Sequence, residues 1–164
     1  MLRERTEYEN EVRVAPAQFG RGVFALKRFT AGETIGRVDG EIIEDPTYES
    51  DYCMEMGDEI VIEPSAPFRY VNHSCQPNCE LVEVHLTWED DLPDEWELWL
   101  ETLTDIEPGE QLTIDYGWTA DVAIPCGCGS PNCRGWIVAE EEAHQVSKMH
   151  DVEALREGKV TEAE

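Results

Sequence analysis

The stretch Asn72-His73-Ser74-Cys75-Gln76-Pro77-Asn78-Cys79, entered through Phe68-Arg69-Tyr70-Val71, constrains this chain most. It puts a proline, an imidazole, two thiols and two asparagines into one turn, directly after an apolar-aromatic run. Asn, Ser and Pro are common turn formers, so alone the stretch reads as punctuation. It gains weight from Gly109-Glu-Gln-Leu-Thr-Ile-Asp-Tyr-Gly117, from Cys126-Gly-Cys-Gly-Ser-Pro-Asn-Cys-Arg-Gly-Trp136, and from the early turn Gly20-Arg21-Gly22.

Cys126, Cys128 and Cys133 offer three thiolates within eight residues, on a loop bent by glycines and a proline. Structural zinc takes four ligands in a tetrahedron. The fourth must come from elsewhere, and Cys53, Cys75, Cys79 and four histidines are available. Ordinary reduced thiols are the plainer alternative. Tyr116 follows a β-rich run and precedes a glycine, so its hydroxyl is either aimed into a cleft or satisfied within a core. Asn72 and His73 are equally open, with His73 a base, a metal ligand or a local hydrogen-bonder. Trp136 fits a simple core residue.

The charge is far from balance: 12 basic against 37 acidic residues gives −25. Nucleic-acid binders carry basic patches, so direct nucleic-acid binding is disfavoured. A basic protein or peptide partner is favoured through long-range attraction. No run approaches the roughly 20 apolar residues of a membrane-spanning helix. The opening Met1-Leu2-Arg3-Glu4-Arg5 is too polar for a signal peptide. These features predict an intracellular protein, cytoplasmic or nuclear, with reduced thiols that favour metal over disulfides.

Along the chain, Glu11–Ala15, Val23–Leu26, Thr34–Val38, Glu41–Ile43, Glu59–Ile62, Cys79–Leu86, Trp96–Leu103 and Gln111–Ile114 read as short strands. Asp39-Gly40 signals a hairpin between two of them. Glu89–Glu95 is an acidic loop, and Ile137–Leu155 reads as a helix stopped by Gly158. Gly20-Arg21-Gly22-Val23-Phe24-Ala25 matches a dinucleotide-binding pattern. That pattern requires a helix at its glycines, and Val23–Leu26 is β-rich, so it is read as a tight turn with exposed backbone. Many short strands predict a mostly β domain with a terminal helix.

Together the blocks resemble a SET domain, the fold of many protein-lysine methyltransferases. Arg69–Asn78 resembles that family's R-F-x-N-H-S-C-x-P-N, and Ile106–Gly117 its I-x-x-G-E-E-L-T-x-D-Y-G. Cys126–Trp136 resembles the post-SET C-x-C-x4-C with R-G-W, and Gly20–Ala25 the opening glycine turn. The resemblance implies a β-clip of several small curved sheets with knot-like threading, in which Asp115-Tyr116 passes the Asn72-His73 loop. It implies a flexible N-terminus over 1–11, a SET domain over 12–121, a post-SET segment over 122–138 and a C-terminal helix and tail over 139–164.

It further implies S-adenosylmethionine as methyl donor, held by Gly20, Arg21, Gly22, Arg69, Asn72 and His73, with Trp136 closing over it. Zinc is implied at Cys75, Cys126, Cys128 and Cys133, with Cys53 and Cys79 as spectators. Tyr116 becomes the catalytic residue, orienting a lysine amine deprotonated by desolvation and by the nearby sulfonium. Ile114 stands where the family carries Phe or Tyr, a position associated with methylation number, and points to more than monomethylation. Tyr52 is the candidate second aromatic of the substrate channel. The competing reading is a catalytically silent SET-like module that binds basic peptides, and a third is a purely structural zinc domain.

Overall fold

The computed structural model describes residues 10–45, 47–56, 60–86, 95–146 and 148. Two units emerge: Met1–Asn72 with Pro77–Ile114, and His73–Gln76 with Asp115–Glu164. No described helix is long and apolar enough to cross a membrane.

The first unit holds small antiparallel sheets built from the expected short strands. β1 (Val12–Pro16) pairs with β2 (Arg21–Ala25) from Val12↔Ala25 to Pro16↔Arg21. The Gly20-Arg21-Gly22 turn therefore opens a strand, and no helix starts there. A second sheet begins with β3 (Thr34–Arg37), and a third with β4 (Gly40–Ile43).

The hairpin expected between β3 and β4 does not form. β4 pairs with β6 (Ile60–Pro64), whose other side takes β5 (Met54–Met56), a strand without a clear sequence signal. Gly40 explains the divergence. A Cβ there would collide with the Glu63 carbonyl, and Pro64 Cα would lie only 2.8 Å away. Lacking a side chain, Gly40 pairs closely with Pro64 in the antiparallel β4–β6 ladder.

After a short 3-10 turn at Phe68–Tyr70 and the two-residue β7 (Asn72–His73), β8 (Cys79–Leu86) runs against β9 (Glu95–Thr102). β3 flanks the other edge of β9. From Leu98 on, every second residue of β9 is buried, Leu98, Leu100 and Thr102, which is the period a strand with one covered face requires. β10 (Gln111–Ile114) returns beside β2, pairing Leu112 with Val23. The core of this unit includes Val23, Phe29, Leu98, Leu100, Ile106 and Leu112. Each such side chain contributes about 1.5–3 kcal/mol on burial. Thr102 is the polar exception: its Oγ1 donates to the Thr30 carbonyl at 2.6 Å and accepts the Glu33 N–H at 2.9 Å. It thereby shapes the turn over Thr30–Glu33.

The second unit pairs β11 (Ile124–Pro125) with β12 (Trp136–Ile137), and Cys126 N–H donates to the Gly135 carbonyl at 2.9 Å. Ala120, Val138 and Val146 form its small core, with Ala123, Trp136 and Ala143 packed against them. The helix expected from Ile137 starts later: Ile137 pairs in β12, a 3-10 turn follows at Glu140–Glu142, and helical residues begin at 143. Apart from residue 148, the span expected as helix beyond 146, most of the N-terminal 1–11 segment and nearly all of the acidic 89–95 loop lie outside the described residues.

Candidate metal centre and catalytic tyrosine

In the first unit, the glycine turn is organised by Asn72. Gly20 has φ +66°, a conformation other side chains rarely adopt. Gly22 is bare because a Cβ would collide with Gln111 Oε1 and sit 3.0 Å from Ala17 Cβ. Asn72 Nδ2 donates to the Arg21 carbonyl and to Gln111 Oε1, both at 2.9 Å. Asn78 serves β10 as a strand would. Its Oδ1 accepts the Thr113 N–H at 2.8 Å, and its Nδ2 donates to the Gln111 carbonyl at 2.8 Å.

Beside this turn, cations and rings alternate. Arg69 lies over the Tyr52 ring at 4.1 Å and by the Tyr70 ring at 5.9 Å, and Arg21 covers Tyr70 at 5.2 Å. The Arg69 guanidinium also pairs with Glu63 at 3.4 Å and donates to the Pro64 carbonyl at 3.2 Å. Arg69 therefore joins the Tyr52 ring, through its cation, to β6, through its Nη1. Tyr52 stays 43% exposed, whereas Ile114 is buried at the end of β10.

In the second unit, Cys75, Cys126, Cys128 and Cys133 converge until their four sulfurs lie within 4.8 Å of one another. Cys75 and Cys126 sulfurs are 3.7 Å apart. A zinc tetrahedron with arms of about 2.3 Å has sulfur–sulfur edges of about 3.8 Å, so the set fits the ion. Backbone N–H groups point at the sulfurs: Cys128 at Cys126, Arg134 at Cys75 and Gly135 at Cys133, each at 3.4 Å. Burial pushes the Cys75 and Cys126 thiols up, Cys126 to about 12. Burial acts on Cys128 too, but the Ser130 hydroxyl 3.3 Å away and nearby donors hold it down to about 5. Crowded sulfurs resist losing several protons together, and a divalent cation removes that resistance.

Cys53 and Cys79 stand in the first unit and are not members of the four-sulfur cluster. Cys79 is fully buried, which pushes its thiol up to about 12. Cys53 donates to the Ser50 carbonyl at 3.2 Å.

Tyr116 sits beside His73, as the expected passage of Asp115-Tyr116 past that loop requires. Its backbone N–H donates to His73 Nδ1 at 3.2 Å. Its ring lies between the His73 ring, 5.3 Å away, and the Trp118 ring, 5.4 Å away. His73 is buried, and desolvation lowers its pKa, with the Asp115 carboxylate pulling the other way. Because Nδ1 accepts the Tyr116 N–H it carries no proton, so the imidazole is neutral. Asp115 is gripped by Arg134, and its Oδ1 also accepts the Gly117 N–H at 3.1 Å. Trp136 is half-buried, packed on the small core.

Gln111, Asn78, Asp115, Arg134 and Trp118 carry this arrangement without having been singled out from the sequence. Asn78, Gln111, Asp115 and Arg134 stand inside the quoted motifs, which is the signal available. Their partners lie 19 to 39 positions away, so spacing does not assign their roles.

A family model described as "SET domain" matches residues 20–117. The chain is 32% identical over 153 residues to histone-lysine N-methyltransferase 2D of Homo sapiens, covering 82% of this chain and 3% of that protein. It is 32% identical over 147 residues to histone-lysine N-methyltransferase TRX1 of Oryza sativa, covering 79% and 14%. It is 30% identical over 149 residues to Set2 of Drosophila melanogaster, covering 80% and 6%. The chain thus spans a small fraction of these relatives' length. The crystal structure of KRYPTONITE with methylated DNA, an H3(1-15) peptide and SAH superposes with a TM-score of 0.63 at 25% identity, covering 77% of this chain and 29% of that one. A second KRYPTONITE structure, with mCHG DNA and SAH, gives 0.64 at 25% identity, covering 77% and 28%. KRYPTONITE carries DNA in both, so the expected absence of nucleic acid finds no support in these likenesses. The matched 20–117 segment joins the Asn72-His73 turn and the Asp115-Tyr116 strand end in one pattern, and this chain belongs to the SET domain family.

Proposed function

We propose that this chain transfers methyl groups from S-adenosylmethionine to lysine side chains of a basic protein. The observation that carries the reading is Tyr116, held by its backbone on a buried neutral histidine and flanked by His73 and Trp118. The reading is supported by family membership and by relatives named as histone-lysine methyltransferases. Those relatives also favour an intracellular setting, and the H3 peptide held by KRYPTONITE favours a histone-like tail as substrate.

The cofactor supplies an activated methyl group on a sulfonium. Gly20, Arg21 and Gly22 present backbone groups to it, steadied by Asn72. Arg69, whose Nη1 is engaged by Glu63 and the Pro64 carbonyl, offers its remaining donors to the cofactor. His73 contributes backbone contacts, since both its ring nitrogens have partners, and Trp136 covers the cofactor. Tyr52 and Ile114 line the lysine channel. Desolvation there lowers the lysine pKa, and Tyr116 orients the neutral amine. Ile114 offers no hydroxyl to hold a water or the amine, which favours more than one methyl per lysine. The −25 charge recruits a basic substrate. It does not hold the bound lysine protonated, because surface charge is screened beyond about 8 Å at physiological salt. Cys75, Cys126, Cys128 and Cys133 hold zinc and order the post-SET segment.

The test gives zinc-loaded protein labelled S-adenosylmethionine and basic peptides, alongside Tyr116→Phe. Label on lysine that falls about a hundredfold or more in the variant supports the enzyme. Cofactor binding by calorimetry without transfer to any basic peptide would favour a silent binding module. No cofactor binding would sink both.

A further inference from the structure

The imidazole of His73 is committed at both ends within the second unit. Nδ1 faces the Tyr116 N–H at 3.2 Å, and Nε2 faces Cys75 Sγ at 3.3 Å. A backbone N–H can only donate, so Nδ1 is the acceptor and the proton of the neutral ring resides on Nε2. That proton points at the Cys75 sulfur. The Arg134 N–H, 3.4 Å from the same sulfur, is its second donor. The His73 side chain is only 3% exposed, so water does not compete for either contact. Asp115 Oδ1 lies 3.5 Å from Nδ1, but Arg134 and Gly117 already supply it with donors. Donation from Nδ1 to Asp115 would also put two N–H groups face to face, at His73 and Tyr116.

We propose that His73 is a positioning residue, a rigid strut between zinc ligand Cys75 and the backbone of Tyr116, through which the state of the metal centre sets the placement of the catalytic tyrosine. It rests on the reading of Tyr116 as catalytic and of the four cysteines as a zinc site. The physics is that of outer-shell control. An N–H donated to a thiolate spreads its charge and fixes its direction, and losing such a contact loosens the metal. A flat ring with two opposed contacts transmits a shift of the sulfur to the amide, because neither bond can relax through a rotatable joint between them.

Two substitutions separate the ends of the strut in the full-length, zinc-loaded chain. His73→Asn places a carboxamide oxygen near the Nδ1 position, where it accepts the Tyr116 N–H but falls short of Cys75. His73→Gln carries an N–H to the Nε2 position and leaves Tyr116 without its acceptor. Zinc release into a chelating dye and hydrogen exchange at the Tyr116 amide are then measured. His73→Asn is expected to lose zinc about ten- to a hundredfold faster with Tyr116 still protected. His73→Gln is expected to release zinc near the wild-type rate with Tyr116 exchange accelerated. Stripping zinc from the wild type should likewise accelerate that exchange. Variants that both keep zinc normally, or that both lose zinc and protection together, overturn the strut, as does any result in which the two readouts fail to separate. Neither readout requires methyl transfer, so failure here and failure of the enzymatic reading are told apart.

Discussion

Arg134 closes on Asp115 through two parallel hydrogen bonds, Nη1 to Oδ2 at 2.7 Å and Nη2 to Oδ1 at 2.8 Å. Asp115 immediately precedes Tyr116, and Arg134 immediately follows Cys133. The fork therefore clips the Asp115-Tyr116 segment to the cysteine loop. The Arg134 side chain is 13% exposed and that of Asp115 32%, so the pair is only partly screened by water.

Arg134→Lys keeps the charge and loses the fork. It should destabilise the protein by about 1–3 kcal/mol. For a chain of this size each kcal/mol lowers Tm by about 2–4 °C. Thermal unfolding checks it, and an unchanged Tm would show that the fork contributes nothing.

Gly22→Ala should disturb the cofactor turn with little loss of stability. The new methyl displaces the Gln111 side chain and frees the Asn72 amide from one of its two acceptors. Calorimetry should show weaker S-adenosylmethionine binding, by about 1 kcal/mol for one lost hydrogen bond. Gly20→Ala should cost stability instead, because its φ is +66°.

Chelating the metal should unlock the cysteine loop selectively. Limited proteolysis should then cut between Cys126 and Cys133, while β8 and β9, which contain no metal ligand, stay intact. Cys126→Ser should reproduce that pattern with zinc present. Simultaneous cutting of β8 and β9 would contradict it.

Acid should weaken the first unit at one identifiable place. The Thr30 N–H holds the Glu33 carboxyl below its ordinary value, helped by Lys27, and the Ala31 N–H does the same for Asp105, helped by Arg28. A carboxyl depressed in the folded state stabilises fully above its unfolded pKa and loses that effect as pH falls through the folded one. Stability should therefore begin to fall below about pH 4.5, the ordinary value for Glu33. Denaturant titrations across pH 5 to 3 on Glu33→Gln should show a shallower slope than wild type.

The strands were legible because their burial alternates: β8, β9 and β10 stand within a residue or two of their expected bounds. Pairing was less legible. Asp39-Gly40 carries a hairpin signal, yet Gly40 packs tightly against the Glu63 carbonyl in the β4–β6 ladder, a contact 23 positions away that no local pattern encodes. β5 carries no readable pattern because Met54-Glu55-Met56 is only three residues long. The four cysteines were assigned through resemblance, since spacing alone left Cys53, Cys75 and Cys79 equivalent. What separates them is depth and neighbours. Cys79 faces Thr102 across two strands and is fully buried, while Cys75 lies on the turn that meets Cys126.

Cys75 and Cys126 lie 51 positions apart, and the remaining two ligands follow at 128 and 133. A ribosome makes about 5–20 residues each second, so Cys75 emerges seconds before its companions. The first unit's strands β1 to β6 can begin to assemble in that interval, whereas the four-sulfur shell cannot close until residue 133 has been made. For the nascent chain, metal capture is thus a late event, and until then Cys75 remains an uncoordinated thiol.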